Sequence, residues 1–310
     1  MRIAAVGPEA LEEGHALLAA AWPFDRFSAT LAREKLFDGF HPGVERSTVF
    51  AARSDEGRLV GVMQSVVRPA EGRAWLGLFA VAAADRNRGV ASALFARVSD
   101  EWMQAGVGTA EVLAVPSNYF TPGLDPRAPA AAGFLARHGF ARAGEAVSLV
   151  VDLGVAEAFD TTADERRLGE AGIEIRRAAP EDESRLDAFV TERFGSDWGF
   201  QAERARRLSP PGVHVALAGD GVVGFAAHSA MNREWGWFGP MGTAAEAEGR
   251  GIGRVLLRRS LRDLGAQGYA TAIIPWVASK TFYARHVPCQ AERVFWRYHR
   301  VVASPAPTSQ

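Results

Sequence analysis

The sequence predicts an α/β (α+β) protein with two similar domains in tandem, each a mixed, mostly antiparallel sheet flanked by helices. Length is the first indication, because 310 residues exceed one ordinary small core and favour about two domains. The second is an internal repeat, since the same order of strand-like and helix-like segments occurs twice. Apolar residues make up 48% of the chain and charged residues 23%, so each half can bury a core.

The boundary between the halves is predicted from a polar stretch that contains glycines and acids. This stretch, 154–172, is expected to be a linker between a first domain at 1–153 and a second at 173–303. Each half opens with a short strand-like run and then a proline followed by acids, at Pro8 and at Pro180. The last residues, 304–310, are rich in Ser and Pro and are expected to be disordered.

The repeat continues through each half in the same order. A hairpin around a glycine turn comes first, then an apolar strand, a small-residue loop and a long helix, and finally a further strand and helix. In the first half the strands are predicted at 48–52, 59–67, 74–81 and 110–115, with the last helix at 130–137. In the second half they are predicted at 213–218, 222–227, 234–241 and 270–274, with the last helix at 279–285.

Composition excludes several functional classes. Lys plus Arg (35) nearly balance Asp plus Glu (36), and no long run of like charge suggests nucleic-acid binding. The single cysteine, Cys289, leaves no internal disulfide and no cysteine cluster for structural zinc, so we expect no metal and a reducing, cytoplasmic location. Neither a signal peptide nor an apolar run of about 18 residues is present, so no membrane association is expected.

Two glycine-containing loops between a strand and a helix carry the chemistry. A helix that begins after such a loop presents unpaired N–H groups at the positive end of its dipole, which favours an anion. A P-loop would need Gly-Lys-Ser or Gly-Lys-Thr, and a dinucleotide loop would need glycine at Arg254, so both are excluded. Alternatively, each loop is only a tight helix cap. The loops are Arg86, Asn87, Arg88, Gly89, Val90, Ala91 and Ser92 in the first half, and Gly249, Arg250, Gly251, Ile252, Gly253 and Arg254 in the second.

The loops resemble the acetyl-CoA motif of the GNAT acyltransferases, Arg/Gln-x-x-Gly-x-Gly/Ala after a strand. Arg86, Gly89 and Ala91 match it fully, whereas Glu248 stands where the second loop should have Arg or Gln, which predicts weaker binding there unless it turns away. The resemblance implies that the loop amides hold the CoA pyrophosphate. It also implies pantetheine contacts from the preceding strands, at Phe79 and Val81 and at Met241 and Thr243.

The resemblance implies a proton donor for the leaving thiolate on the helix after the fifth strand. Tyr283 occupies that position in the second half, whereas the first half has Leu135, which cannot donate a proton. Turnover is therefore expected in the second half, and the first either binds CoA without turnover or uses another acid such as Tyr119. Tyr283 could equally be an ordinary packing aromatic.

The general base is less well specified by the sequence. Glu234 opens the strand that leads to the second loop, and His228 ends the preceding one with a suitable intrinsic pKa, but either can be purely structural. Water is the remaining alternative. An inserted segment at 118–127, next to the expected acyl site of the first half, either shapes a substrate pocket or only covers the core.

Together these features predict transfer of an acetyl or other short acyl group from acetyl-CoA to an amine of a small molecule or peptide, by direct attack. The alternative is a non-catalytic CoA-binding sensor, which Leu135 and Glu248 favour.

Overall fold

The computed structural model describes residues 1–302, and the tail expected to be disordered lies outside the described residues. The chain forms two compact units. Within the described residues, one contains 1–146 and 294–302, and the other contains 147–293. These divisions differ from the domain boundaries expected from the sequence. The last strand of the first half (Ala141–Asp152) begins in one unit and ends in the other, and so does the last strand of the second half (Cys289–Val301). No helix within residues 1–302 is long and apolar enough to cross a bilayer.

The first unit is a mostly antiparallel sheet with helices on both faces. Its strands are β1 (Arg2–Val6), β2 (Arg46–Arg53), β3 (Leu59–Arg68), β4 (Arg73–Val81) and β5 (Thr109–Val112), in that spatial order. Its helices are α1 (Leu11–Ala21), α2 (Ala29–Arg33), α3 (Val90–Gln104) and α4 (Pro129–Arg137). The pairs are antiparallel except β4 with β5, which is parallel. β6 (Ala141–Asp152) then runs from this unit into the second.

The second unit repeats this plan. Its strands are β7 (Ile173–Arg177), β8 (Val213–Ala218), β9 (Gly221–His228), β10 (Phe238–Thr243) and β11 (Thr271–Ile274). Its helices are α5 (Thr162–Glu170), α6 (Glu183–Phe194), α7 (Ser196–Arg206), α8 (Ile252–Ala266) and α9 (Lys280–His286). β7 to β10 form an antiparallel sheet, and β11 pairs antiparallel with the end of β6.

The final strand, β12 (Cys289–Val301), returns the chain to the first unit. Its last residues pair antiparallel with β5, where Val301 lies opposite Thr109. The sequence does not predict that exchange, because the residues of a strand do not by themselves determine which sheet edge it joins.

The segment 154–172 differs from the expected linker. It contains a 3₁₀ turn and α5, and both contribute fully buried side chains, Phe159 and Leu168, to the core of the second unit. Burying apolar side chains of this size stabilises the fold by about 1.5–3 kcal/mol each. The segment is therefore part of a domain rather than a spacer.

The strand predicted at 234–241 is shorter than expected. Residues 233–235 form a 3₁₀ turn, and β10 begins only at Phe238. Asn232 and Gly236 flank the turn with left-handed backbone (φ 47° and 60°), which breaks an extended strand. Glu234 therefore lies in this turn and does not open a strand.

Candidate functional sites

The first site is built where β4 separates from β5. Their parallel pairing ends at Leu76 opposite Val112, and beyond it β4 continues without that neighbour. A bulge in β4 lies at this point, opposite β3. The buried amide of Gln64 fills the bulge, because its Oε1 accepts from the Leu78 N–H at 3.1 Å. The separated strands leave an opening at the sheet's centre.

The loop after β4 delivers an uncapped helix end to this opening. Gly89 is the N-cap of α3 and has left-handed backbone (φ 83°), which glycine adopts at little cost. As a glycine, Gly89 has no side chain that could accept a hydrogen bond from the first turn of α3. Its backbone N–H groups are therefore available to an anion.

A cavity of about 440 Å³ joins the loop to the strand opening. Six of the seven predicted loop residues line it, as do Phe79 and Val81, which the family resemblance implied for the pantetheine. Arg88 is the exception, since its side chain is 72% exposed and does not line the cavity. The loop residues that line it are Arg86, Asn87, Gly89, Val90, Ala91 and Ser92.

The charges around this cavity suit a polyanion. Arg86 donates from Nε to the carbonyl of Val81 at 3.2 Å, which holds its side chain against the end of β4. Arg127 and Arg137 also line the cavity. The carboxylate of Asp85 is in turn paired with Arg58 at 3.0 Å. The balance of charge on the lining is therefore positive.

Protein acids and bases are scarce on this lining. Among the described residues that line the cavity, none is Tyr, His, Cys or Glu, and Tyr119 lies buried elsewhere in the inserted segment. Leu135 is fully buried in the core. The nearby imidazole of His138, 3.0 Å from the Ser92 hydroxyl, has its pKa lowered by burial. The cavity thus offers binding groups more than proton-transfer groups.

The second glycine loop has nearly the same backbone as the first. Gly251 caps α8 with φ 89° and ψ 6°, against 83° and −2° at Gly89. Glu248 adopts the extended conformation of Arg86 (ψ 162° and 156°) and is exposed. The repeat therefore extends to individual backbone angles. The two loops differ in residue type at this position, where the second has Glu248 and the first has Arg86.

The helix α5 lies against this second loop. Arg167 donates to the carbonyl of Arg250 at 2.8 Å, and a Cβ placed on Gly251 would lie 2.9 Å from its Nη2. Asp164 forms an ion pair with Arg254. Part of the positive charge that the sequence assigned to phosphate binding is thus compensated within the protein.

The predicted contact residues around the second loop lie beside it. Thr243 and Phe282 both approach Gly253, with atoms 3.6 Å from a Cβ placed there, and Met241 packs partly buried against the core. Ile252 is buried in that core rather than facing the loop's surface. Burial raises the pKa of the Tyr283 hydroxyl to about 12, so it stays protonated at neutral pH. A protonated phenol is what a general acid requires.

His228, the other predicted base, lies in a buried charge network. The imidazoles of His228 and His214 lie 3.4 and 2.7 Å from Asp263 Oδ2, in the last turn of α8. One ring nitrogen from each imidazole and one carboxylate oxygen of Asp263 lie within 4.8 Å of one another, a spacing that could hold a metal ion. Arg177 Nη2, however, is 2.7 Å from the same oxygen. We therefore interpret this as an ion-pair network in which His228 is structural, at the opposite end of α8 from the glycine loop.

Sequence reasoning missed the aromatic side chains at the far end of the first cavity. Trp22, Phe24 and Phe27 follow α1, and Phe120 comes from the inserted segment, so that segment does shape the cavity. The run of aromatics between α1 and α2 was the available signal. Its significance depends on which strand opening α1 faces, which sequence alone does not give.

Comparisons with known proteins agree with this architecture. The sequence profile described as "Acetyltransferase (GNAT) family" matches residues 12–121 and 175–287, one stretch in each half. No curated protein matches significantly.

Several solved structures share the fold across nearly the whole chain. A GCN5-related N-acetyltransferase from Sphaerobacter thermophilus is 17% identical with a TM-score of 0.69, covering 100% of this chain and 98% of that one. A tandem GNAT protein from the clavulanic acid biosynthesis pathway is 16% identical, with a TM-score of 0.68 and coverage of 98% and 99%.

A third structure is larger than this chain. The GCN5-related glucosamine N-acetyltransferase region of a fungal multi-domain GH3 β-N-acetylglucosaminidase is 18% identical with a TM-score of 0.78. The match covers 96% of this chain and 38% of that one. The profile match over both halves and the repeated fold show that the chain belongs to the acetyltransferase (GNAT) family, with two copies of the GNAT domain in tandem.

Proposed function

We propose that the protein is a CoA-dependent N-acyltransferase that binds its acyl donor in the cavity of the first unit. The observation that carries this proposal is the shared lining of that cavity. The loop residues from Arg86 to Ser92, except Arg88, meet Phe79 and Val81 there, at the N-terminus of α3 beside a strand opening. A diphosphate fits the helix end, and an extended, largely neutral arm fits the strand opening.

The reaction is acyl transfer by direct attack. The nitrogen of an acceptor amine attacks the thioester carbonyl carbon, the C–N bond forms and the C–S bond breaks. The amine loses one proton, and the departing thiolate takes one up. In the first unit the proton exchange falls to water, because the one carboxyl group among the described lining residues, Asp85, is paired with Arg58 and no Tyr, His, Cys or Glu lies beside it on the lining. In the second unit Tyr283 remains the predicted acid. Its hydroxyl is protonated at neutral pH, and burial raises its pKa and so makes it a weaker acid, which means that the role rests on its position on the helix after the fifth strand.

A non-catalytic acyl-CoA-binding protein is the second candidate. It is favoured by the lack of Tyr, His, Cys and Glu among the described residues that line the first cavity. It is also favoured by the ion pair that engages Arg254 at the second loop. In this candidate the protein would bind donor and release no product.

Thiol release separates the two candidates. The full chain is incubated with acetyl-CoA and a panel of small amines and peptides, and free thiol and acylated amine are measured together. Amine-dependent release of thiol in equal amount to acylated product supports the transferase. Binding by calorimetry without thiol release would support the binding protein, and the absence of any binding would contradict both.

A further inference from the structure

The cavity of the first unit has two chemically different ends. The loop end carries backbone amides and Arg86, whereas the far end is formed by the last turn of α1, the residues after it and the inserted segment. At the far end the lining side chains are mainly aliphatic or aromatic. They include Leu18, Ala21, Trp22, Phe27, Phe120 and Leu124.

The aromatic side chains at this end form a packed wall. The ring centroids of Phe120 lie 5.4 Å from Trp22 and 5.0 Å from Phe27, both in edge-to-face arrangements. Such arrangements are favourable beyond simple burial, so the wall resists collapse into the cavity. The indole N–H of Trp22 already donates to Asp25 at 3.1 Å. The wall therefore offers apolar surface to a ligand.

The charged groups beside the far end are paired within the protein. Arg127 lines the cavity with its guanidinium 4.3 Å from the ring centroid of Phe24, and it is held by Asp125 at 2.6 Å. Asp125 raises the pKa of Arg127, and the carboxylate of Asp25, which accepts from Trp22, also raises it. These pairs leave the aromatic and aliphatic side chains as the surface that an uncharged hydrocarbon group would contact.

We propose that the far end of this cavity binds the acyl group of the donor, and that the preferred donor carries an apolar acyl chain longer than acetyl. The inference rests on the proposed function, because it assumes that CoA occupies the loop end. The pantetheine arm that contacts Phe79 and Val81 would then direct its thioester past Leu78 toward the aromatic wall. An acetyl group would leave that apolar surface in contact with water.

The size of the expected preference follows from burial of hydrocarbon. Each methylene transferred from water to an apolar site gains about fourfold in affinity. Butanoyl-CoA should therefore bind about 16-fold more tightly than acetyl-CoA. The gain should stop at the chain length that fills the far end.

The test is a calorimetric titration of the full chain with CoA and with acetyl-, butanoyl-, hexanoyl- and octanoyl-CoA. We expect affinity to rise with chain length in the parent protein. Ala21→Phe, which places a ring in the far end, should abolish the rise and leave binding of CoA itself unchanged. Ala16→Phe on an exposed position of α1 is the matched control, and it should behave as the parent.

Three results would overturn the inference. Equal affinity for acetyl- and octanoyl-CoA would refute the acyl assignment while leaving the proposed donor site intact. An equal loss of affinity for CoA and for all its thioesters in Ala21→Phe would also refute the acyl assignment. If neither CoA nor any thioester binds, the proposed function fails as well, and the two failures are thereby distinguished.

Discussion

Replacing Arg86 by alanine tests whether the first glycine loop binds the diphosphate of CoA. Arg86 lines the cavity and follows the 3₁₀ turn (Ala83–Asp85) after β4, and its Nε donates to the carbonyl of Val81 at 3.2 Å. A hydrogen bond to a charged group contributes about 1.5–3 kcal/mol. Because Arg86 is exposed, solvent screening places the effect at the lower end, which corresponds to about a tenfold weaker Kd.

Arg88 provides the matched control for this variant. It lies two residues away in the same loop and carries the same charge, but it is 72% exposed and outside the cavity lining. Arg88→Ala should therefore change the affinity for CoA less than about twofold, because a remote, screened charge contributes little. Both variants should unfold as the parent does, since neither side chain is buried.

Isothermal titration with CoA at low and high salt measures both effects. The loss in Arg86→Ala should shrink as salt rises, because screening weakens the same interaction in the parent. Equal losses in the two variants would show that only the general positive potential matters. An unchanged Kd in Arg86→Ala would refute the placement of the diphosphate at this loop.

Three further predictions concern the second unit and the sheet of the first. Tyr283→Phe should lower turnover about 10²–10⁴-fold, with CoA affinity retained, if that hydroxyl protonates the thiolate; unchanged steady-state kinetics would exclude the role. Asp263→Asn, which removes the charge of a partly buried partner of Arg177, should lower the free energy of unfolding by about 1–3 kcal/mol in urea titrations at pH 7, whereas Glu246→Gln at an exposed pair should have no measurable effect. Gly61→Val should cost about 1–3 kcal/mol in the same assay, because even its Cβ would lie 2.9 Å from two side chains of α3; a neutral result would contradict that packing.

The network around Asp263 also predicts how stability changes with pH. Burial alone would raise the pKa of the Asp263 carboxyl, but hydrogen bonds from His214 and His228, with Arg177 beside them, hold it well below its usual range. Burial lowers the pKa of His214 despite that carboxylate. Both folded-state pKa values are depressed, so each group contributes stability above its unfolded pKa that is lost on acidification.

The loss should therefore begin as pH falls below about 6.5, where His214 binds a proton in the unfolded chain, and continue below about 4 for Asp263. Urea titrations of the parent between pH 8 and pH 2 measure it. Asp263→Asn should flatten the profile below about pH 4, since the titrating carboxyl is gone, and should steepen it between about pH 6.5 and pH 4, because His214 loses the carboxylate that favours its charged form. A parent protein that gains stability on acidification through this range would contradict the network.

Sequence periodicity was sufficient for the elements that bury a regular apolar face. The strands of both hairpins, α4 and α9 lie within a residue or two of their predicted positions, because alternation and helical spacing are local properties. The strand expected at 234–241 was wrong at its start, where Asn232 and Gly236 adopt left-handed backbone. Apolar character predicted a strand there, but the left-handed backbone at these two residues ends the extended conformation and produces a 3₁₀ turn instead.

The glycine loops could be predicted as helix caps because their conformation depends on the local backbone. Gly89 and Gly251 cap their helices with nearly identical angles, as the matching sequence positions indicated. The far end of the first cavity could not be predicted in the same way. Trp22 and Phe120 are about a hundred positions apart in the chain, and their edge-to-face contact depends on tertiary packing alone.

The two loops show that a matching sequence motif does not by itself make a binding site. By sequence the second loop has more glycines, and its backbone does match the first. Yet Arg254 pairs with Asp164, and the carbonyl of Arg250 accepts a hydrogen bond from Arg167. Asp164 and Arg167 both belong to the segment 154–172, which the sequence predicted to be a linker. An anion at that loop must therefore compete with the carboxylate of Asp164 for Arg254, in addition to the repulsion from Glu248. Asp164→Asn should consequently strengthen binding of CoA at the second loop, and an unchanged affinity there would show that α5 has no influence on the site.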